Sequence, residues 1–484
     1  MPSHDRWKSR TVAAIAAGVL TAGAVSYPAT AGATSAAHTA VKSHADPASG
    51  VSSTPASGTP SLTNMGKGTQ EVIKQIVQCG GTMYAVGQFT SITQHKVAYT
   101  RDNVFSFSAV KPYALTSWAP DVNGKVNSIT FSGGNCADAY IGGRFTSING
   151  TTVKFLAEID TTTGDVVPSF GTTANGGQVE TLAAADGHII AGGDFSSING
   201  GNDAHLASLN PVTGKDDHFI KLHISGHYQF CDWGGQQCTS SNNHTMVYNQ
   251  QLSHGGTLDL VEGNFTSVAG LARQEIFMLN LATSPATVTG WTSPQFDGSD
   301  GNLPQGYPYQ CYYTEAFYVR AAAWSPDDQT VYLATTGYHP WNVPTNYPRD
   351  GLCDAVASFP ATQSSVLDNW IEYAGCDSYY SVAADSTNVY AGGHERWAEN
   401  NDGCDYPGQG AVYDRGLQGL SVSNGAVDLN AGGTAEYSMS AANADDMLLT
   451  SAGLWIASTN RYGSNQCGGV SGHAGICFLP YPSQ

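Results

Sequence analysis

The chain has 484 residues, 41 % of them hydrophobic and 10 % aromatic, with 56 Gly and 21 Pro. That composition is ample for a packed core and excludes a chain disordered throughout. Lys plus Arg number 20 against 39 Asp plus Glu, a net charge of −19, which argues against an electrostatic partnership with nucleic acid or an anionic membrane.

Arg6, Lys8 and Arg10 precede the apolar run 11–25, and Ala31-Gly32-Ala33 has the small-x-small form of a cleavage site. This is the pattern of a secretory signal peptide over residues 1–33, with an apolar run about five residues short of a bilayer span. Cleavage would remove three basic residues and one acid, leaving 17 against 38, a net −21. The mature chain is expected to be secreted, without a transmembrane segment. Residues 34–58 are rich in Ala, Ser, Thr and Pro and read as a disordered spacer, so the folded part is placed at 59–484.

From there the chain repeats itself. VNSITFSGGNCADAYIGGRFTSING (126–150) followed by FLAEIDTTTGDVVPSF (155–170) is the clearest unit, and VETLAAADGHIIAGGDFSSING begins the next at Val179. MYAVGQFTSI (83–92) and LDLVEGNFTSVAG (258–270) are further copies. VYLATTGYH (331–339), VYAGGHERW (389–397) and LWIASTNRY (454–462) are weaker ones. The pivotal positions are Phe89, Phe145, Phe195, Phe265, His339, Glu395 and Asn460. Each unit reads as short strands separated by turn residues, and the Gly pair inside strand two suits a place where backbones crowd. The expected fold is all-β: a seven-bladed β-propeller of four-stranded antiparallel blades. An N-terminal strand, 59–64, is expected to close the ring along the outer edge of the last blade.

GGRFTSING, GGDFSSING and the LAEIDTTTGDVVPSF type of ending resemble the GG-x-F-T-S-I-N-G units of a secreted, actinobacterial-type bacterial β-propeller family, the delta-sixty repeat, a domain of unknown function. GGHERW followed by PGQGAVYDRGLQGLSVSNGAV is similar to a variant segment of the same propellers. The resemblance covers residues 70–440. It implies the fold and an exported location, and it implies no reaction.

In such a blade the loops joining strands two and three share a face with the connections between blades. The long segments 220–245, 297–316, 338–355, 394–412 and 461–474 all fall on that face. Elaborate loops on a rigid scaffold are where binding surfaces sit. Tyr307, Tyr309, Tyr312, Tyr313, Tyr338, His339, Trp341 and Tyr347 there are candidate ligand contacts, because flat rings with polar tips suit sugar faces and peptide surfaces. His394, Arg396 and Trp397 join them. His394 and Arg396 are expected on one side of an extended segment, where the guanidinium fits a ligand carboxylate or a neighbouring acid. H-E-x-x-H is absent, and no nucleophile elbow or phosphate loop occurs in a suitable place.

Ten cysteines in an exported chain predict disulfides. The expected pairs are Cys231–Cys238, Cys467–Cys477, Cys79–Cys136, Cys311–Cys353 and Cys376–Cys404. No resident cofactor or metal is expected, although 297–302 and 400–403 are calcium-like in composition without the spacing of a calcium loop. The composite expectation is a monomeric, non-catalytic binding or scaffolding module for a glycan or another exported protein. The alternative is a carbohydrate-active enzyme, a glycoside hydrolase or lyase, using a carboxylate pair drawn from Glu315, Asp350, Asp354, Glu395, Asp402 and Asp405.

Overall fold

Each repeat folds as an antiparallel meander. The structure, a computed structural model, describes residues 50–63, 71–227, 244–297, 311, 318–337, 351–439, 444–460, 466–467, 470–471 and 473–482, all within the unit Ala40–Gln484. Among them the first sheet is Glu71–Cys79, Thr82–Gln88 and Val104–Ser108, and the second is Val126–Thr130, Asp138–Gly143 and Leu156–Asp160. The third is Val179–Ala185, His188–Gly193 and Leu206–Leu209. The fourth and fifth have four strands each: Met246–Leu252, Leu258–Asn264, Ile276–Asn280 and Thr287–Val288, then Tyr318–Trp324, Thr330–Thr336, Ala355–Pro360 and Trp370–Tyr373. Tyr379–Ala384, Asn388–Gly393 and Gln418–Ser421 form the sixth, and Ala444–Thr450, Gly453–Asn460 and Ile476–Pro480 the seventh. The described residues contain no α-helix, only a 3-10 turn at Pro294–Asp297, and no helix long and apolar enough to cross a membrane.

The repeat motif now has a mechanical meaning. Phe89, Phe145, Phe195 and Phe265, at most 2 % exposed, plug the core where strand two leaves its sheet. The following S-I-N-G makes a small hairpin whose tip needs two left-handed residues, as two-residue hairpins do. Asn149 and Gly150 have φ of 47° and 75°, and Asn199 and Gly200 51° and 75°. In the fifth repeat the strand register places Gly337, not His339, at the position of the pivotal Phe, because Thr335 stands where Gly143 stands in the second.

The first strand of each sheet lies beside the first strand of the next, and the seventh lies beside the first. Seven apolar clusters occupy the spaces between consecutive sheets. The one between the seventh and first packs Ile73, Met83 and Phe105 against Trp455, Ile476 and Phe478. Indole N–H groups staple neighbouring sheets: Trp118 to the Asp160 carbonyl, Trp291 to Pro360 and Trp370 to Val422.

Two expectations change. Among the described residues only the fourth and fifth sheets carry a regular fourth strand. Elsewhere that element shrinks to single bridges such as Ile159 to Val166 and Leu209 to Asp216. In the second sheet Pro168 follows Val167 directly and has no N–H to extend the ladder. Among the described residues of the segment 59–64, no strand pairing with the last sheet occurs: Ser61–Leu62 pairs with the hairpin strand Ser91–Gln94, and Leu62 N–H donates to the Ala474 carbonyl just before the seventh sheet's last strand at 2.8 Å. The residues before it do meet the last sheet, where Ser52 N–H donates to the Pro480 carbonyl and Ala56 N–H to Phe478, each at 2.8 Å. Val51 is 4 % exposed, so packing begins before the expected boundary at 59. Residues 1–33 and the spacer up to 49 lie outside the described residues.

Four of the expected disulfides form: Cys79–Cys136, Cys311–Cys353, Cys376–Cys404 and Cys467–Cys477. Cys231 and Cys238 lie outside the described residues. Cys79–Cys136 joins the first two sheets at their strand-one-to-two end, and the other three bonds tie the opposite end.

Candidate functional site

Every first strand carries a β-bulge at the same place. The register slips between Ile73 and Gln75, Val126 and Ser128, Val179 and Thr181, Val247 and Asn249, Val319 and Ala321, Tyr379 and Ser381, and Ala444 and Asp446. A bulge leaves one residue unpaired and re-aims its side chain. The seven bulged residues are Lys74, Asn127, Glu180, Tyr248, Arg320, Tyr380 and Asp445, and all seven line one cavity of about 530 Å³. The bulge also explains the second Gly of each pair. A Cβ on Gly143 would lie 2.2 Å from the Lys125 carbonyl oxygen, and Gly87, Gly193, Gly263 and Gly393 meet the same approach. In the two repeats without that Gly a hydroxyl stands there and is hydrogen-bonded. Thr335 Oγ1 accepts from Ala355 N–H at 3.0 Å, and Ser458 Oγ from Gly475 N–H at 3.1 Å.

The start of a first strand adjoins the connection from the preceding sheet, and the end of a second strand adjoins the loop to strand three. The bulge ring therefore sits at the end of the sheets that carries the elaborate loops.

Part of the cavity wall is internally satisfied. Gln75 Oε1 accepts from Ser128 Oγ and Ile129 N–H across to the second sheet. Ser128 Oγ accepts from Leu182 N–H of the third, and Asp446 Oδ2 from Ile76 N–H of the first. Lys74 Nζ donates to Asp445 at 2.8 Å. Burial, with Lys74 nearby, lowers the pKa of Lys125, and burial raises that of Glu180 against the pull of Lys125. Burial also pushes Asp446 up to about 6.

The opposite part is aromatic. The guanidinium of Arg320 lies 5.6 Å from the centre of the Tyr248 ring and 5.5 Å from that of Tyr380, held between two π-faces. Tyr248 donates its hydroxyl to the Val319 carbonyl, which fixes the ring. Glu275 beneath is fully buried, and burial holds its carboxyl far above the ordinary range, against the effect of the Tyr248 hydrogen bond and Arg320.

The loop of the sixth sheet is built around Asp377. Arg396 donates Nε and Nη2 to its two oxygens at 2.7 and 2.9 Å, and Nη2 also reaches Asp405 at 2.6 Å. His394 Nδ1 stands 3.5 Å from Asp377, so His394 and Arg396 do share a side. Burial works against the charge on Asp377, but the hydrogen bonds of His394 and Arg396 hold its pKa below the usual value. The guanidinium thus grips neighbouring acids of its own chain. Trp397 is half-buried and meets the exposed Tyr413 edge-on at 5.4 Å. Glu395 points the other way. It is fully buried in the place where four repeats have Phe, no hydrogen bond reaches its oxygens, and burial raises its pKa to about 8.

Tyr307, Tyr309, Tyr312, Tyr313, Tyr338, His339, Trp341 and Tyr347 lie outside the described residues, as do Glu315 and Asp350. Of the other acids considered as a catalytic pair, Asp354 is fully buried and accepts from Ser378 Oγ, and Asp405 holds Arg396. In the calcium-like stretch 400–403, the Asn400 carboxamide is consumed by the loop itself, donating to the Ala374 and Cys404 carbonyls and accepting from Gly408 N–H. A grouping not anticipated from sequence, Asp203, Asp216 and His218, brings three potential metal-ligand atoms together on a rim of the third sheet; His218 Nδ1 lies 3.0 Å from Asp216.

Residues 184–214, part of the third repeat, match a family described as domain of unknown function (DUF5122) beta-propeller. No curated protein matches. Among solved structures the chain is similar to U3-55K, at 10 % identity over 88 % of this chain and 100 % of that one, TM-score 0.46. It is likewise similar to the WD40 repeats of RRP9, at 10 % identity over 88 % and 99 %, TM-score 0.47. A third is the Cps50 (Swd1) beta-propeller domain of Myceliophteria thermophila, at 10 % identity over 67 % and 80 %, TM-score 0.36.

Proposed function

We propose that this chain is an exported, seven-bladed β-propeller that acts as a monomeric, non-catalytic binding module, and that its ligand is a glycan. In this reading the seven meanders are blades closed into a ring, the backbone around Ser52 and Ala56 serves as the outer strand of the last blade, and residues 1–33 are a cleaved leader. The observation that carries the reading is the bulge ring. Seven backbones each spend one ladder position to deliver a polar or aromatic side chain to one cavity. Buried bonds between neighbouring first strands support it further, because they hold the wall without help from a ligand. Of the acids weighed as a hydrolytic pair, Glu395 and Asp354 are enclosed and Asp405 is engaged by Arg396.

The test is to incubate residues 34–484, disulfides formed, with a panel of soluble and insoluble polysaccharides. Protein depletion and new reducing ends are read from the same wells. Depletion without new ends is expected, and Gln250→Ala in the cavity wall should weaken it about ten-fold. New reducing ends would overturn the non-catalytic reading. No depletion by any polysaccharide would leave an exported protein as the partner class and overturn the glycan.

A further inference from the structure

The cavity wall contains polar groups that the protein leaves without partners. Gln250 is 8 % exposed, lines the cavity, and neither its Nε2 nor its Oε1 makes a hydrogen bond. Asn127 spends its Nδ2 on the Val179 carbonyl, yet its buried Oδ1 has nothing. The buried hydroxyl of Tyr318 is likewise without a partner. A buried donor or acceptor left unmade costs about 1–3 kcal/mol, so three such groups on residues that line one cavity point to what fills it. A carboxamide with both ends vacant matches a pair of adjacent hydroxyls, one accepting from Nε2 and one donating to Oε1. An unpartnered amide oxygen asks for a further O–H donor. Hydroxyls, which donate and accept at one atom, are the chemistry of a sugar.

Arg320 adds a charge. The chain carries 39 acids for 20 basic residues, so a carboxylate partner for an arginine is easily supplied. Arg396 has two and Lys74 has one. Arg320 is exposed to the cavity and touches two tyrosine faces, and among the described residues no carboxylate is hydrogen-bonded to it. Glu275, an acid close by, has a pKa raised well above the carboxylate range by burial. Two aromatic walls hold the guanidinium fork in place while leaving its N–H edges for a planar anion.

The geometry points to an acidic saccharide as the ligand, with a uronate carboxylate on Arg320 and neighbouring hydroxyls on Gln250 and Asn127. This rests on the glycan-binding reading above and narrows it. The test compares three probes by isothermal titration with residues 34–484: trigalacturonate, its methyl ester, and a tripeptide of glutamate. Trigalacturonate should bind roughly ten-fold or more tightly than the uncharged ester, the value of one charged hydrogen-bonded pair. Arg320→Gln should erase that difference, read as the ratio of acid to ester affinity within the variant, with the melting temperature measured alongside, and Gln250→Ala should weaken both saccharides. If Arg320→Gln proves unstable, Arg320→Lys, which keeps the charge and loses the fork, should fall between the two. Equal affinity for acid and ester overturns the uronate assignment and leaves glycan binding standing. Binding of the peptide alone overturns both, and binding of no probe overturns the uronate assignment while the polysaccharide panel decides the glycan reading.

Discussion

Glu395 is the residue at which this chain departs most sharply from its own pattern. Four repeats bury a phenylalanine at that place, and the sixth buries a carboxyl that no hydrogen bond reaches. Its pKa of about 8, against an ordinary 4.5, means that the folded state prefers the protonated acid. The sign follows from linkage: between about pH 4.5 and about pH 8 the unfolded chain has lost this proton and the folded chain has kept it. Stability is therefore present at acid pH and falls as pH rises, by up to roughly 1.4 kcal/mol per pH unit in that window. Glu395→Gln should flatten the pH dependence of the urea midpoint, and an unchanged slope would show that the carboxyl is ionised in the fold. At the Phe positions the loss is simpler. Phe145→Ala should cost about 3–5 kcal/mol in the same assay, since the ring is fully enclosed.

At the scale of elements, the S-I-N-G stretch is read in the sequence only as part of the repeat, although N-G has a narrow meaning: two left-handed residues joining strands that alternate. The Gly pair was readable as crowding, and the crowding is real. Gly143→Ala places a methyl against a backbone carbonyl at 2.2 Å and should destabilise the fold by about 2 kcal/mol or more. The bulges themselves were not read. Lys74, Glu180 and Arg320 share neither charge nor size, and one polar residue in an apolar run looks like ordinary alternation. Only their common offset from the second Gly of the facing strand marks them, and that offset appears once the register is known. The closing segment was misplaced for a related reason. Pro60-Ser61-Leu62 copies the Pro-Ser-apolar pattern of strand four, but backbone bonding to the strand Ile476–Pro480 falls on Ser52 and Ala56, in a stretch whose composition reads as spacer. Cys376–Cys404 was legible from loop position, and it closes a separation of 28 residues over the loop that holds Arg396. Removing it as Cys376→Ala with Cys404→Ala should lower stability by about 3 kcal/mol, read as a shift in the denaturation midpoint.

For the whole molecule, buried acids set the pH response. Asp259 at about 8, Glu158 at about 7 and Asp446 at about 6 join Glu395, each raised first of all by burial. All four pull in one direction, and the net charge of −19 adds self-repulsion that grows as carboxyls ionise. The melting temperature should therefore be higher at pH 5 than at pH 8, and the reverse order would mean that paired carboxylates such as Asp377 dominate.

The same view sets the proposed binding site where the seven first strands converge. Fourteen flanking ladder positions, two per sheet, frame seven side chains that share one cavity. Hydrogen exchange with and without a saccharide that depletes the protein from solution tests this most directly. Protection is expected at the amides around Lys74, Asn127, Gln250, Arg320 and Tyr380 together, from separate sheets at once. Protection confined to the loop around Arg396 and Trp397, with the bulge strands unchanged, would contradict a site at the ring.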